Sequence, residues 1–397
     1  MAAESSRSKN QQFPKQTPKK QLEIPPCGEL FKLPDLPQEL IIEILLQLPV
    51  KSLVRFRSVC KSWCTIIYEP QFVKKHLSLV TKDDNINNWR VIIRYQYHDL
   101  KSCSLRSFFH EPYGRAVDLY YPFKTLRRGV GIVGSCDGLV CIYYYEKSVD
   151  NFYIWNPSTR ESHILPSFGE GANFGFSYGF GYDSFNDDYK VIRVAFAKGP
   201  LEVKVYSLKT DSWRRIGGFP SNLIMFRPME SSKLVNGSIH WSATNLNNNS
   251  WVIIALDLGE ETYREIPKPD FGKFGKECSL LSVRALRGCL CALCEYAFSF
   301  DVWVMNEYGR KESWTKLISM PYLPEPQPIR RSRPLWYMKD GGVLVNLNGV
   351  FVLYDLVDHT LKHPLICGIH YFHQADVYVE SLVSPNAFKN MPTYLNE

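Results

Sequence analysis

The sequence has no run of 18 or more apolar residues, the length that a membrane-spanning helix needs. Its first 30 residues lack the apolar core of a secretory signal, and Glu4, Glu23 and Glu29 make them too acidic for a transit peptide. The 11 cysteines are an odd number without a secretory signal, which favours reduced thiols. These features predict a cytoplasmic or nuclear chain, or one present in both compartments, with no membrane partner.

Local motifs of cofactor and metal sites are scarce. There is no Walker phosphate loop and no His-Glu-x-x-His helix. Residues 129–134 match Gly-x-Gly-x-x-Gly, but a strand-like segment follows them where a dinucleotide site needs a helix. The Cys289–Cys294 segment has no second ligand pair and is typical of a buried strand. His370, His373 and Asp376 fit a turn better than a metal site. We therefore predict no enzyme activity, no cofactor and no metal.

Positive charge is present but not concentrated. The net charge of +7 divides into +3 for residues 1–32, +2 for residues 33–80 and +2 for the rest of the chain. A nucleic-acid-binding surface needs its cations on one face. The distribution argues against a nucleic-acid partner.

The segment Leu36–Val50 has the most informative pattern, because nine of its fifteen residues are Leu, Ile or Val. Asp35 is suited to cap a helix, and Pro37 is tolerated in the first turn. Leu40 and Ile44 then begin a stripe at helical spacing that continues to residue 48. The pattern predicts a helix with a broad apolar face.

Pro49 ends this helix, and two shorter helical patterns follow before Pro70. A unit of 48 residues is near the lower limit for a self-sufficient core. Leaving five or six such side chains in water costs on the order of 10 kcal/mol, at roughly 1.5–3 kcal/mol each. A patch of this kind marks a partner site, unless the helices pack on the rest of their own chain. The pattern alone leaves both alternatives open.

The run LPxELxxxILxxLPVKSLxRFRxVCKSWxxII resembles an F-box, the adaptor-binding module of cullin-RING ubiquitin ligases. The resemblance implies that a Skp-family adaptor binds here, with cullin and RING subunits joining indirectly. Trp63 has two roles open to it, since it is suited both to pin the third helix and to border the adaptor. The residues that the resemblance assigns to the adaptor site are Leu36, Pro37, Leu40, Ile44, Leu45, Leu48, Pro49, Leu53, Val59, Cys60 and Trp63.

From about residue 88 the chain changes to short β-branched and aromatic runs broken by turn residues, and two sets of markers recur about every 50 residues. This period predicts a propeller of six units with four-stranded blades. The turn markers, each before an apolar strand, are Asn88, Gly138, Asp188, Gly237, Gly288 and Gly342. The second set is Leu105, Trp155, Tyr206, Leu256, Met305 and Tyr354.

Several anchors lie in predicted hairpins, such as IWNPSTRESHILP and LYDLVDHTLKHP. These motifs, with GSCDGLVCI, LVNGSIHWSA and YVESLVSP, resemble the F-box-associated domain of plant F-box proteins, which include F-box/kelch-repeat and S-locus types. The double glycine typical of kelch repeats occurs clearly only at Gly341-Gly342. The resemblance implies a propeller-like domain that holds a target protein.

The sequence therefore predicts an α+β chain in which a small three-helix F-box precedes an all-β, kelch-like propeller. The expected domains are a disordered basic tail at 1–32, the F-box at 33–80, the propeller-like domain at 81–385 and a tail at 386–397. The implied function is substrate recognition in an SCF-type (Skp–cullin–F-box) ubiquitin ligase, leading to proteasomal degradation of an unidentified protein. The alternative is a propeller that binds a ligand or glycan without a ligase role.

Overall fold

The computed structural model describes residues 36–82, 85–126, 129–146, 149–167, 176–195, 201–225, 233–271, 280–321, 332–338 and 341–388. The predicted disordered tail and the proposed cap Asp35 lie outside these ranges. The chain forms two compact units, of which the first ends at Ile44 and the second begins at Leu45.

Four helices occupy the N-terminal part of the described chain. Their bounds, with that of a short fifth helix, are α1 (Gln38–Leu46), α2 (Val50–Phe56), α3 (Lys61–Tyr68), α4 (Pro70–Lys82) and α5 (Arg106–Phe109), and 3₁₀ turns cover Ile86–Asn88, Lys124–Leu126 and Lys311–Ser313.

Local chemistry explains where these helices begin. The carbonyl of Pro37 accepts the backbone N–H groups of Leu40 and Ile41 at 3.0 and 3.2 Å. The Cys60 sulfur accepts the N–H of Trp63 at 3.5 Å and so caps α3. Helix α4 is additional to the three helices that the sequence predicts. Proline at the first helical position loses no hydrogen bond, so Pro70 begins a helix and does not only end one.

Short antiparallel strands dominate the second unit. In chain order they are β1 (Trp89–Gln96), β2 (Asp99–Ser104), β3 (Gly114–Arg115), β4 (Val117–Asp118), β5 (Val130–Cys136), β6 (Leu139–Glu146), β7 (Val149–Trp155), β8 (Ser162–Ile164), β9 (Phe176–Asp183), β10 (Asp188–Ala195), β11 (Glu202–Ser207), β12 (Ser212–Arg215), β13 (Leu223–Met225), β14 (Lys233–Val235), β15 (Ser238–Asn245), β16 (Ser250–Asp257), β17 (Tyr263–Ile266), β18 (Leu280–Leu286), β19 (Cys289–Glu295), β20 (Ser299–Met305), β21 (Trp314–Pro321), β22 (Ser332–Met338), β23 (Gly342–Leu347), β24 (Val350–Tyr354), β25 (Leu361–Lys362), β26 (Ile366–Cys367) and β27 (Gln374–Val379).

Six sheets of four or five strands form six propeller blades. Blade 1 has the strand order β27-β1-β2-β4, and blades 2 and 3 are β5 to β8 and β9 to β12. Blade 4 contains β13 to β17, blade 5 β18 to β21 and blade 6 β22 to β25. A separate parallel pair joins β3 and β26. The six-blade propeller predicted from the 50-residue period is confirmed.

Blade 1 combines the two ends of the domain. Its innermost strand, β27, pairs antiparallel with β1, so that Val91 lies opposite Val377. The innermost strands of neighbouring blades also contact one another around the ring. The last strand of the described chain therefore closes the ring that β1 opens.

The recurring markers identify equivalent strands. The second strands of the blades (β1, β6, β10, β15, β19 and β23) begin at the turn markers or directly after them. The second set of markers lies at or next to the end of each third strand, from Leu105 after β2 to Tyr354 in β24. The first marker, Asn88, fits this pattern although β27, the inner neighbour of β1, comes almost 300 residues later in the chain. The repeat phase predicted from sequence is confirmed.

The hairpins that the sequence predicts are also present. The IWNPSTRESHILP and LYDLVDHTLKHP motifs form β7–β8 and β24–β25. Equivalent turns in four blades each place one residue in the left-handed region, namely Arg160, Asp211, Glu261 and His359 at φ of 66, 50, 58 and 55°. Asn156 and Asp355 stabilise two of these turns by accepting backbone N–H groups on their side-chain oxygens.

The hydrophobic core is divided among the six gaps between adjacent blades. Val191 packs into the cluster between blades 2 and 3, whereas the next residue, Ile192, packs into the cluster between blades 3 and 4. Cys291 belongs to one of these clusters, which agrees with the buried strand expected for its segment, and Cys141 belongs to another. The second strands are buried on both faces over much of their length, and this explains why they are rich in apolar residues, such as Val191 and Ile192 in β10.

Gly138 shows why one turn requires glycine. It follows Asp137 in the β5–β6 turn, and both residues have positive φ, 53 and 84°. A Cβ added to Gly138 would overlap the side chain of Ser381 and lie 2.7 Å from the Val379 carbonyl oxygen. Gly288 has a similar φ of 78°, but a Cβ there would meet no atom within 4 Å.

We therefore expect Gly138→Ala to destabilise the domain by about 1–3 kcal/mol more than Gly288→Ala, because only the first substitution adds overlap to the backbone strain. The free energies of unfolding in urea would measure this difference. Equal losses in the two variants would show that the contact with Ser381 relaxes without cost.

Candidate functional site

Apolar side chains in the first unit remain in contact with water. Leu36, Leu40 and Ile44 are 56, 50 and 53% exposed, and their spacing of four residues places Leu40 and Ile44 on one face of α1. Pro37, at the start of the helix, is also exposed. This row is an uncovered apolar surface on a short helix.

Part of the predicted adaptor site lies in the second unit. Pro49, Val59 and Cys60 are exposed, with 59% exposure for Val59, and Leu48 and Trp63 are partly buried. The Trp63 ring lies 5.3 Å from the ring of Phe56, so it holds α3 on α2.

Two other residues assigned to the adaptor by the resemblance have a core environment. Leu45 and Leu53 are 1 and 0% exposed. Neither side chain offers surface to a partner in this structure. The exposed candidates are therefore Leu36, Pro37, Leu40 and Ile44 in the first unit, and Pro49, Val59 and Cys60 in the second.

A buried histidine connects α4 with the segment before α2. Nε2 of His76 lies 2.9 Å from the carbonyl oxygen of Leu48, and because a carbonyl only accepts, Nε2 carries the proton. The ring also stacks on Phe72. Burial lowers the pKa of His76 below its ordinary 6.5, although the hydrogen bond to Leu48 opposes the shift. The neutral ring is therefore the form that the fold favours.

Helix α4 is packed directly on the propeller. Val73 and Leu77 contact the core cluster between blades 2 and 3. At the exposed edge of this contact, Nζ of Lys74 lies 2.9 Å from a carboxylate oxygen of Asp187. The Tyr182 hydroxyl donates to the same carboxylate, and Tyr182 and Lys74 together lower the pKa of Asp187. The contact between α4 and the propeller is therefore apolar at its centre, and an ion pair lies at its exposed edge.

A second polar contact joins the end of α2 to the propeller. Arg57 lies against the ring of Tyr68 at 4.0 Å and forms an ion pair with Glu161 at 3.4 Å. Glu161 also accepts a hydrogen bond from the hydroxyl of Ser384. Nearby, the amide nitrogen of Asn156 donates to the carbonyl oxygens of residues 381 and 383 at 3.0 and 2.8 Å.

These contacts bring three sequence motifs together. GSCDGL supplies Gly138, WNPSTRE supplies Asn156 and Glu161, and SLVSP supplies Ser381 and Ser384. The motifs therefore mark the place where the ring closes and where the helices α2 to α4 are attached. The motifs are visible in the sequence but their meeting point is not, because SLVSP follows the other two by more than 200 residues.

Strand direction shows which propeller face bears the helices. Glu161 lies in the turn between the third and fourth strands of blade 2, and Asp187 lies in the turn between the first and second strands of blade 3. In antiparallel blades these two kinds of turn emerge on the same side. We call this side the helix face, and the other side, which carries the turns between second and third strands, the open face.

The alternative sites considered from sequence have structural roles. Gly131 and Gly134 lie in β5 and are followed by β6, so the segment lacks the helix of a dinucleotide site. Asp376 forms an ion pair with Lys233 at 2.5 Å. No group of three or more His, Cys, Asp or Glu residues suited to a metal occurs among the described residues.

The cysteines agree only in part with the expectation of reduced thiols. Eight of those described are free, including Cys60, Cys289 and Cys291. Cys294 is disulfide-bonded, which contradicts that expectation at this position. It therefore offers no free thiolate to complete a metal site with its neighbours.

The sequence contains one further motif of a catalytic site. Residues 175–179 match Gly-x-Ser-x-Gly, the pattern of a nucleophile elbow. Ser177 lies in β9, is buried and accepts a hydrogen bond from the indole N–H of Trp241 at 3.0 Å. An elbow needs an exposed serine at a strand-to-helix turn, so this residue is structural.

No described helix has the length and apolar character required to span a membrane. This finding concerns only the ranges that the structure describes.

Comparison with known proteins identifies both parts of the chain. Residues 33–75 match the family described as F-box domain, and residues 120–394 match the F-box associated beta propeller domain. The F-box/kelch-repeat protein At3g23880 of Arabidopsis thaliana is 34% identical and covers 90% of this chain and 98% of its own length. The Arabidopsis thaliana F-box protein CPR1 is 32% identical, with 88% of each chain covered.

We expect Glu161→Ala to lower the free energy of unfolding by about 2 kcal/mol, because it leaves the partly buried Arg57 cation without its carboxylate and removes the acceptor of Ser384. Urea unfolding would measure the loss. Glu260→Ala, at an exposed position in a turn of blade 4, is the matched control and should change stability by less than about 0.5 kcal/mol. Similar losses of unfolding free energy in both variants would show that the contacts of Glu161 with Arg57 and Ser384 do not stabilise the fold.

His76 should make stability depend on pH. Its folded-state pKa lies below 6.5, so the unfolded chain binds the proton more readily, and stability present above pH 6.5 is lost as the pH falls. The slope is at most about 1.4 kcal/mol per pH unit for this single proton. His240, whose pKa burial lowers to about 4, contributes in the same direction.

The contribution of His76 is therefore measured as the difference between the wild type and His76→Gln, unfolded at pH 7.5 and at pH 5.5. We expect a smaller pH dependence in the variant. An unchanged dependence would show that His76 titrates normally.

Proposed function

This chain belongs to the F-box proteins that carry an F-box associated β-propeller domain, and we propose that it is the substrate-recognition subunit of an SCF-type ubiquitin ligase. F-box domains generally bind the Skp1 adaptor, and F-box proteins are generally non-catalytic. The domain order and the relatives imply a substrate-adaptor role in general terms. The proposal adds that this chain bridges a Skp-family adaptor and one target protein, which is ubiquitinated and then degraded by the proteasome.

The exposed apolar row formed by Leu36 and two residues of α1 is the observation that carries the proposal. Leu36, Leu40 and Ile44 each leave at least half of their surface in water. Burying such side chains against a partner is favourable by about 25 cal/mol per Å² of apolar surface. In the proposed complex these residues, with Pro37, contact the adaptor. Pro49, Val59 and Cys60 provide further exposed positions.

The packing of α2 to α4 on the propeller supports a role that depends on proximity. Val73 and Leu77 pack against the core cluster between blades 2 and 3, and Arg57 and Lys74 form ion pairs with turns of two different blades. These two apolar contacts and two ion pairs restrict the movement of α2 to α4 relative to the propeller. A target held on such a propeller would remain at a defined distance from the ligase, which raises the effective concentration of its lysines.

Exposed aromatic residues on the propeller favour the second candidate, a ligand- or glycan-binding module without a ligase role. Phe298 and Tyr97 are 81 and 66% exposed in turns on the open face. Aromatic rings of this kind supply contact area at low conformational cost. These rings are equally suited to contact a protein target, so their exposure does not distinguish the two candidate functions. Binding of a Skp-family adaptor does.

We expect the double variant Leu40→Ala/Ile44→Ala to bind a Skp-family adaptor about 30-fold more weakly than the wild type. Each truncation removes about 1 kcal/mol of apolar burial at the interface. The affinity of the full chain for purified adaptor would be measured by calorimetry, and co-precipitation from native extract would report whether cullin follows.

Leu79→Ala is the matched control, because Leu79 is an exposed leucine on α4 and not on α1. It should bind the adaptor with wild-type affinity. A folded wild-type chain that binds no adaptor would refute the ligase role and favour the ligand-binding alternative. A glycan array would then be the next test.

A further inference from the structure

An exposed tyrosine on the open face is held in place between blades 1 and 2. Tyr97 lies in the turn between β1 and β2, is 66% exposed, and accepts the backbone N–H of Val130 on its carbonyl oxygen at 3.0 Å. A Cβ added to Gly129 would lie 2.2 Å from the Tyr97 side-chain ring, so a glycine is required where the ring packs. Blade 2 therefore fixes this ring while most of the residue stays in water.

A second exposed tyrosine has an equivalent setting between blades 6 and 1. Tyr371 precedes β27 and is 57% exposed, and its ring would lie 2.6 Å from a Cβ added to Gly349, in the turn between β23 and β24. The N–H of Phe372 donates to the Gly349 carbonyl oxygen at 3.0 Å. Val350, the residue after this glycine, is 40% exposed. Blade 6 therefore holds this tyrosine beside an exposed aliphatic side chain.

His373 connects the two tyrosines. It is exposed, and its ring centroid lies 5.9 Å from that of Tyr371. Its backbone N–H donates at 2.9 Å to the carbonyl oxygen of Arg94, three residues before Tyr97. We call Val350, Tyr371, His373 and Tyr97 the seam patch, because they follow one another across the place where β27 closes the propeller.

The turns around the seam patch carry no net charge. None of the described turns between second and third strands contains Asp, Glu, Lys or Arg, whereas turns on the helix face contain charged residues such as Asp187 and Glu261. Arg94 and Asp99, next to the Tyr97 turn, have opposite signs and are both partly buried. An ionic group of a partner would lose its hydration here without gaining a net opposite charge. The uncharged turns are residues 97–98, 246–249, 296–298 and 348–349.

The residue types of the seam patch favour a peptide over a glycan. A sugar presents many hydroxyl groups, and each polar group buried without a hydrogen-bond partner costs about 1–3 kcal/mol. The patch offers aromatic rings and the aliphatic Val350, but no carboxylate or amide side chain. Apolar side chains of a peptide instead gain free energy when they are buried against such a surface.

Proline is the residue best suited to this surface. Its ring is apolar, and its backbone has no N–H that burial would leave without an acceptor. Proline-rich segments dock on surfaces lined by aromatic rings, and their extended conformation is preformed, so little entropy is lost on binding. The rings of Tyr97 and Tyr371 are likewise held in place before binding.

We propose that the seam patch binds an uncharged, proline-containing segment of the target protein. The segment crosses the ring closure from blade 6 to blade 2 and packs its apolar side chains on Tyr371 and Tyr97. That the segment belongs to a ubiquitination target rests on the proposed function, whereas peptide binding itself does not.

A phage-displayed library of random dodecapeptides, selected on the immobilised full chain at pH 7.5, tests the proposal. We expect the selected peptides to be enriched in proline and depleted in Asp, Glu, Lys and Arg relative to the starting library. The most frequent selected peptide, synthesised with capped ends, is then titrated into the full chain by calorimetry.

Tyr97→Ala and Tyr371→Ala should each weaken binding of this peptide about tenfold or more, because aromatic anchors dominate such interfaces. Tyr97→Phe keeps the ring and should bind nearly as well as the wild type. Tyr113→Ala is the matched control. Tyr113 is also 66% exposed and lies in blade 1, but in the connection between the third and fourth strands.

Val350 provides a test that leaves both tyrosines in place. Val350→Lys puts a charge into the patch and should weaken peptide binding about tenfold, whereas Val350→Leu should not weaken it. A peptide site elsewhere on the chain predicts no difference between these two variants.

A folded chain that selects no peptide, or selects charged peptides, would overturn the proposal. Binding unchanged by both Tyr97→Ala and Tyr371→Ala would overturn it as well. A glycan array on the same protein supplies the remaining alternative, since glycan binding that Tyr97→Ala abolishes, without any peptide selection, would assign the patch to a glycan. Thermal unfolding of each variant establishes that it is folded.

Adaptor affinity, measured on the same preparations, separates this proposal from the ligase role. Full adaptor affinity without peptide selection refutes only the peptide site. Peptide selection by a wild-type chain that binds no adaptor refutes only the ligase role.

Discussion

The pairing of β27 with β1 is the interaction on which the rest of the propeller depends. Each gap between blades contains its own apolar cluster, so every blade is stable only when both neighbours are present. In an open row of blades the first and last would each expose one apolar face and one unpaired strand edge. Closing the ring through a strand from the far end of the domain removes both edges with six residues of sequence.

The same C-terminal segment connects ring closure with the attachment of the helices. Ser381 fills the space above Gly138, the carbonyl groups nearby accept from Asn156, and Ser384 donates to Glu161. Glu161 in turn binds Arg57 at the end of α2. Because one carboxylate serves both contacts, the position of α2 depends on the closed state of the ring. A propeller that opens at blade 1 would also loosen its helices.

The sequence predicted those parts of the fold that repeat. The 50-residue spacing found the second and third strands of every blade, since these strands supply apolar residues to the core clusters on both sides of a blade. It did not predict α4, because Pro70 is compatible both with the end of one helix and with the first turn of another. Nor did it predict that Leu45 and Leu53 are buried while Leu40 and Ile44 are exposed. All four are apolar residues in helical patterns, three in α1 and Leu53 in α2, and only tertiary packing decides which of them reach solvent.

The position of β27 also has a consequence for biosynthesis. A ribosome releases β1 early and β27 last, so blade 1 stays a three-stranded sheet with an open inner edge for as long as about 280 residues are being made. At the usual 5–20 residues per second, this interval lasts on the order of 15–60 s. During that time the nascent chain exposes a free strand edge that is able to pair with other chains. A premature stop codon before β27 would leave the edge open permanently.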